Sequence, residues 1–370
     1  MRRAAEAGRP LRRLAGIERL VFVLLAAVVL ASCGGSANDA GGGDSADGDQ
    51  AAGKKAKVAY IDGSCTNSWR IHARAEFEDA AEKHPQVGET KYVCAQGDLN
   101  QMIAGIQSSV SQGYDALVVF SDFGDAILPA VRDAHAKGVE VVPWLVEIGG
   151  TPGEDYTAYV EDDPQTLGTR VADYFIEKLG GEGNIVGVAG PEGNSLDAGI
   201  EAAAKKRLAE KAPKMRWLET AWADWDPAKS VQAASAMLSK YPKIDGLWSI
   251  EGSVVPGILQ RWQAAGRDLP VIRTNDQQEL MDLYAKLKED NPTLEYGFES
   301  ARAYGSRQAL EVAMQAYADE QIDESLLTIE NDSWDCATDC ERFSVPDMPG
   351  SYVPTSKVSP EKLRPLLEGS

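Results

Sequence analysis

The stretch Ala95–Ser121, AQGDLNQMIAGIQSSVSQGYDALVVFS, carries the reading of the fold. Leu99, Met102, Ile103, Ile106 and Val110 recur at the i, i+3, i+4, i+7 spacing of a helix with one buried face. Ala116–Phe120 (ALVVF) is then apolar without alternation, as a strand covered on both faces is. Helix feeding strand in this way predicts a parallel sheet with helices packed on it.

The same alternation extends in both directions. Upstream lie a strand at Lys57–Ile61 (KVAYI), an amphipathic helix over Ser68–Lys83 and a strand at Lys91–Cys94. Downstream follow a helix over Ala126–Lys137 and a strand at Val139–Leu145. The scheme restarts after Glu161-Asp162-Asp163-Pro164, where Asp163 suits a helix cap and Pro164 its first turn. Strands are expected at Asn184–Ala189, Met215–Ala221, Gly246–Ile250 and Pro270–Arg273, alternating with helices over 165–179, 197–210, 227–240 and 254–265. The expected fold is α/β, with two doubly wound parallel-sheet lobes. Such sheets bind ligands at the carboxyl ends of their strands, where strand order reverses, and two facing lobes make a cleft.

A chain of 370 residues has room for two such domains. Lys+Arg 37 against Asp+Glu 57 leaves a net charge of −20, and no basic face appears beyond the N-terminus, which excludes a nucleic-acid partner. The N-terminus itself is basic through Arg2, Arg3, Arg9, Arg12, Arg13 and Arg19, then apolar from Leu20 to Ala31. These 12 apolar residues fall short of the ~20 that a spanning helix needs and read as a secretion signal. Leu30-Ala31-Ser32-Cys33 resembles the lipobox of bacterial lipoproteins. The resemblance implies a signal peptide over 1–32, cleavage before Cys33, and a lipid thioether on that cysteine as a membrane anchor. Residues 33–55, rich in Gly, Ser, Asp and Ala, read as a flexible acidic tether. Cleavage would remove six Arg and two Glu, leaving 31 basic and 55 acidic residues.

Four further cysteines remain, Cys65, Cys94, Cys336 and Cys340. Outside the cytoplasm they suggest two disulfides. Cys65 follows the first strand and Cys94 ends the second, so the ends meet if those strands are parallel neighbours; Cys65–Cys94 and Cys336–Cys340 are the expected pairs. Free thiols are the alternative. A zinc site is a further one, but His72, His84 and His135 all fall on expected helices away from Cys336.

Tryptophans gather at strand ends: Trp69, Trp144, Trp222, Trp225 and Trp248. Trp217 and Trp262 read as packing residues. An indole face suits the C–H side of a sugar ring, while the ring's hydroxyls need short polar partners. Both occur together at Asn67-Ser68-Trp69-Arg70, Gly97-Asp98, Ser121-Asp122, Ala223-Asp224-Trp225-Asp226 and Arg273-Thr274-Asn275-Asp276.

With these motifs in order, and with Val160–Gly168 (VEDDPQTLG) between them, the chain from about Lys57 to Asp332 resembles the type I periplasmic sugar-binding proteins of ABC importers, related to ribose and galactose binders. The resemblance implies ligand contacts from Asn67, Trp69, Arg70, Asp122, Trp144, Trp222, Asp224, Trp225, Asn275, Asp276 and Phe298. Asn275 stands where the family's Gly-x-Asp usually places its Asp, with Asp276 one residue on. Gly190–Ile200 (GPEGNSLDAGI) has Asp197 where relatives carry an Arg, and Leu145-Val146-Glu147 replaces their Asp-Arg. The pocket is therefore expected to be more aromatic and less cationic than a ribose pocket.

The resemblance further implies a three-strand hinge, with crossings near 161–163, 275–277 and 328–333. The first lobe would comprise 56–160 and 277–328, and the second 161–276 with 329–370. It also implies a monomer, a sugar or polyol ligand, an ABC permease partner, and no cofactor, metal or catalysis. A sensor that presents its closed form to a signalling receptor would use the same binding physics. An enzyme is the rival from another class, since Asp122, Asp224 and Asp276 could supply a glycosidase acid/base pair. No G-x-S-x-G, H-E-x-x-H or Walker glycine loop accompanies them.

Overall fold

The computed structural model describes residues 54–65 and 67–368. The expected signal peptide, Cys33 and nearly all of the tether lie outside them. The first sheet is built from β1 (Ala56–Asp62), β2 (Val87–Cys94), β3 (Ala116–Phe120), β4 (Glu140–Leu145) and the short β5 (Val160–Glu161). Its order is β2-β1-β3-β4-β5, with every pairing parallel. Helices α1 (Ser68–Lys83), α2 (Leu99–Ser111) and α3 (Leu128–Ala136) connect the first four strands. β3 is buried along its whole length, which explains its unbroken apolar run.

The second sheet contains β6 (Glu182–Ala189), β7 (Lys214–Trp222), β8 (Gly246–Trp248), β9 (Val271–Asn275), β10 (Tyr296–Glu299) and β11 (Ser333–Asp335), in the order β11-β10-β9-β8-β6-β7. Only β11 is antiparallel to its neighbour. Its connecting helices are α4 (Pro164–Leu179), α5 (Ser195–Lys211), α6 (Pro227–Lys240), α7 (Val255–Ala264) and α8 (Gln278–Lys288). Asp163 caps α4 by accepting the Gln165 N–H at 2.8 Å, with Pro164 in the first turn as expected.

The two sheets define two lobes, as expected from the sequence. Strand order reverses between β1 and β3 in one sheet and between β6 and β8 in the other. Both disulfides form, Cys65–Cys94 with a Cα separation of 5.8 Å and Cys336–Cys340 at 4.4 Å. The first follows from the register that pairs Asp62 with Cys94 across β1 and β2.

The lobe boundaries differ from the reading of the sequence in two places. Residues 277–328 do not all join the first lobe: α8 and β10 stay with the second, where Leu280, Met281, Tyr296 and Phe298 share a core with Trp334. The chain returns later, at 300–304, and α9 (Gly305–Tyr317) then packs Ala309, Leu310 and Val312 under the first sheet. Nor does the tail belong to the second lobe alone. After α10 (Cys336–Phe343), a strap over 344–356 runs beside α8 and ends in α11 (Pro360–Leu367), whose Leu363 and Leu367 pack near Ala75 of α1. Gln278 donates its backbone N–H to Tyr352 O at 2.9 Å on one side of this strap. On the other side Glu76 of α1 accepts from Ser356 Oγ at 2.6 Å and Lys357 N at 2.7 Å.

The chain thus joins the lobes at 162–163, 300–304, 329–332 and through the strap. Arg302 meets Asp162 at 2.6 Å, their side chains only 3% and 1% exposed. Breaking such a buried pair costs about 3–5 kcal/mol because it strands a charge. Asp276 accepts the Ala301 N–H at 2.6 Å and the Thr355 N–H at 2.9 Å, joining the end of β9 to one crossing and to the strap.

Candidate interlobe binding site

Loops at the carboxyl ends of β1, β3, β4, β6, β7, β8 and β9 converge on one cavity of about 360 Å³. That volume lies near the small end of the roughly 300–1,000 Å³ of ligand pockets. Six residues expected from the sequence line it: Asn67, Trp69, Arg70, Asp122, Trp225 and Asn275.

Trp69 is the second residue of α1, and its indole is held on three sides. Its Nε1–H donates to Ala301 O at 2.7 Å, its ring stacks on Trp144 at 5.8 Å and 22°, and Phe120 lies 5.2 Å away. Trp144 is therefore the support beneath the lining ring and is fully buried itself. Arg70 is 6% exposed and lies 3.8 Å over the Phe120 ring. Its two terminal nitrogens reach Asp62 and Asp122, each at 2.5 Å, so its charge is spent within the protein. Burial pushes the Asp62 carboxyl up, and its bonds to Arg70, Tyr92 and the Ser64 N–H oppose that shift. Asn67 caps α1 by accepting the Arg70 N–H at 2.9 Å, which leaves mainly its amide N–H groups for a ligand.

From the second lobe comes Trp225, whose φ of 52° follows a φ of 56° at Asp224. Two successive left-handed residues are costly unless their surroundings hold them. Here Asp224 N–H donates to Gly190 O at 3.1 Å and Asp226 N–H to Ala223 O at 2.8 Å. The turn lays the indole on Gly190, where a Cβ would stand 2.2 Å from Trp225 Cε2. Only glycine fits beneath that ring. Leu145 and Arg302 also line the cavity with positive φ, 65° and 58°.

Five expected contacts lie elsewhere. Trp144 is the buried support just described. Trp222 packs half-buried against the α4 and α5 side of the second lobe. Asp224 pairs with Lys229 on the surface, and the neighbouring Asp226 caps α6. Asp276 is buried at the lobe junction, with its carboxyl pushed up to about 6 by burial. Phe298 is core, 4.5 Å from Trp334. Of the three carboxylates considered for catalysis, only Asp122 lines the cavity.

The site also holds residues that the reading of the sequence left out. Arg302 and Glu251 line the cavity, as do Glu192 and Asn194 in the turn after β6. Desolvation raises the Glu251 carboxyl, and Glu251 accepts the Ser253 N–H at 3.1 Å. Asp197, where an Arg was looked for, is buried instead. It accepts the Gly190 N–H at 2.7 Å and braces the turn, its carboxyl pushed up to about 6 by burial. Arg302 adds a second guanidinium to the cavity beside the expected Arg70, each already paired with carboxylate. Among the described residues no cluster of His, Cys, Asp and Glu is arranged to hold a metal ion, and no helix is long and apolar enough to cross a membrane.

A site between two parallel-sheet lobes, at the strand ends of both, is that of a two-lobed binding protein. Residues 58–281 match the periplasmic binding protein domain family, and the chain belongs to that family. It is a family of binding proteins and not of enzymes. A xylitol-binding protein of Mycolicibacterium smegmatis is 28% identical over 180 residues, 48% of this chain and 50% of that protein. The match thus spans about half the length of that relative. A crystal structure from Mycobacterium smegmatis in complex with β-D-fucofuranose superposes with a TM-score of 0.66 and 16% identity, covering 85% of this chain and 98% of the other. The fructose-binding periplasmic domain of a hybrid two-component system gives 0.63 and 20%, over 76% and 91%.

Proposed function

We propose that the protein captures one monosaccharide or polyol molecule in the interlobe cavity, reversibly and without chemical change. The observation that carries this reading is the pair of indoles, Trp69 from one lobe and Trp225 from the other, lining a single cavity beside Asn67, Asp122 and Asn275. The indoles offer apolar faces for a sugar's C–H surface, and the short polar groups replace the water lost from its hydroxyls. A ligand touching both lobes favours the closed arrangement by its differential affinity for it. The crossings at 162–163, 300–304 and 329–332, together with the strap over 344–356, form the hinge.

Relatives named for sugar and polyol binding or import support this ligand class. We place the protein outside the cytoplasm, tethered through lipid on Cys33, as a monomer that hands its ligand to an ABC permease. Calorimetry against pentoses, hexoses and polyols tests the binding step. Saturable binding with unchanged ligand recovered is the expected result; no binding anywhere in the panel, or turnover of a glycoside, refutes it. The likeness to a periplasmic domain of a two-component system favours a second reading, in which the closed form is read by a signalling receptor. Permease and ATPase genes beside this one would decide for transport.

A further inference from the structure

Resting on the reading of the cavity as the ligand site, we propose that Asp197, which is fully buried and does not line the cavity, is the positioning residue that fixes the Trp225 indole in its ligand-binding pose. Asp197 is the third residue of α5, and its own N–H is capped by Asn194 Oδ1 at 3.0 Å. The helix dipole favours a negative charge in that first turn. Oδ2 accepts the Gly190 N–H at 2.7 Å, and the Gly190 carbonyl accepts the Asp224 N–H at 3.1 Å. Gly190 therefore links the carboxylate to the turn that carries Trp225, and it is also the floor beneath the ring.

The indole completes the clamp. Among the described residues Trp225 Nε1 and Asp197 Oδ1 are both buried, and neither has a full hydrogen bond. They are a donor and an acceptor on neighbouring side chains, and the indole N–H is one of the groups that draw the Asp197 carboxyl down against its burial. Leaving either atom unpaired is costly, so the ring is held toward the carboxylate. Trp225 lines the cavity whereas Gly190 and Asp197 do not, so a ligand stacked on the ring loads it against this support. The turn needs such a hold, since Asp224 and Trp225 both have positive φ. Its other tie, Asp224 with Lys229, is a solvent-exposed pair and contributes little.

The support depends on charge. Protonation puts an O–H where the indole N–H needs a lone pair. Burial has pushed the Asp197 carboxyl up to about 6; of the charged groups facing it, the Arg302 guanidinium lowers this value and the Glu251 carboxyl raises it. The charged form holds the ring for the ligand, so affinity is full above this pH and is lost as the pH falls through it.

The test uses calorimetry on the purified full chain against D-ribose, D-xylose, D-glucose, D-galactose and xylitol, with the tightest binder carried forward as the probe. Wild-type affinity for it should fall about fivefold from pH 7.5 to 5.0. Asp197→Asn keeps an acceptor for the Gly190 N–H but turns an N–H toward the indole. It should bind about tenfold more weakly than the wild type at pH 7.5, with the pH slope gone. Trp225→Phe keeps a ring without the N–H and should also lose the slope, which carries the comparison if Asp197→Asn does not fold. Without ligand, the Trp225 indole N–H resonance, assigned by its loss in Trp225→Phe, should move with pH around 6. A merely structural Asp197 would lower the urea midpoint of Asp197→Asn without changing affinity or slope. That result overturns the inference and leaves the sugar reading intact. A titrating resonance in a chain that binds no member of the panel removes the sugar reading, and the ligand role of Asp197 with it.

Discussion

His72 offers a prediction whose size can be worked from the structure. The ring lies on α1, fully buried, with Nε2 placed 3.2 Å from both the Val353 N–H and the Ser351 carbonyl of the strap. Nδ1 is buried without a partner. Burial lowers its pKa to about 4, against about 6.5 for a free imidazole. Between those values the unfolded chain takes up a proton that the folded one refuses, so acid favours unfolding through this group. At about 1.36 kcal/mol per pKa unit, moving from pH 7.5 to 4.5 removes roughly 2.5 kcal/mol of stability. Asp197 and Asp276 act in the opposite direction. With carboxyls pushed up to about 6, they protonate first in the native state and add stability as the pH falls from about 6 toward 4. The His72 share is therefore isolated by difference. Urea unfolding of the wild type and His72→Gln at pH 7.5, 5.5 and 4.5 should show the variant weaker at neutral pH. The gap should close by roughly 2.5 kcal/mol at the lowest pH. A gap independent of pH would show that His72 is not held neutral between α1 and the strap.

Two further outcomes concern function. Trp69→Ala and Trp225→Ala should each weaken binding of the best ligand about tenfold by calorimetry, through the loss of ring contact on one side. If both variants bind as the wild type does, stacking between the lobes is wrong. Cys33→Ser should move the protein from the membrane fraction to the soluble fraction of the cell envelope, and retention in the membrane fraction would count against the lipid anchor.

Much of this architecture was legible because neighbouring residues write it. The apolar spacing of Leu99, Met102 and Ile106, the Asp163-Pro164 start of α4 and the unbroken ALVVF of β3 are local patterns, and the structure follows them. Cys65–Cys94 was accessible because parallel strands bring like ends together. Six of the cavity residues were visible because strand ends are where loops of this kind meet ligands.

The rest depends on partners far away in the chain. Trp69 and Trp144 both stand at strand ends, yet only contact between them shows that one lines the cavity and the other lies beneath it. Asp276 follows a strand like a ligand residue, but the return of Ala301 and Thr355 makes it a buried brace. Arg302 carried no local signal, because its place in the cavity comes from the chain's late return to the first lobe and its meeting with Asp162. The sequence by itself determined the alternation of strands and helices as far as β9, the two-lobe plan and the strand ends that face the cleft, since each follows from short-range periodicity. Tertiary structure alone decided which lobe holds α8 and β10, where the tail fastens, and which carboxylates end up as buried braces, since these depend on packing between residues far apart in the chain.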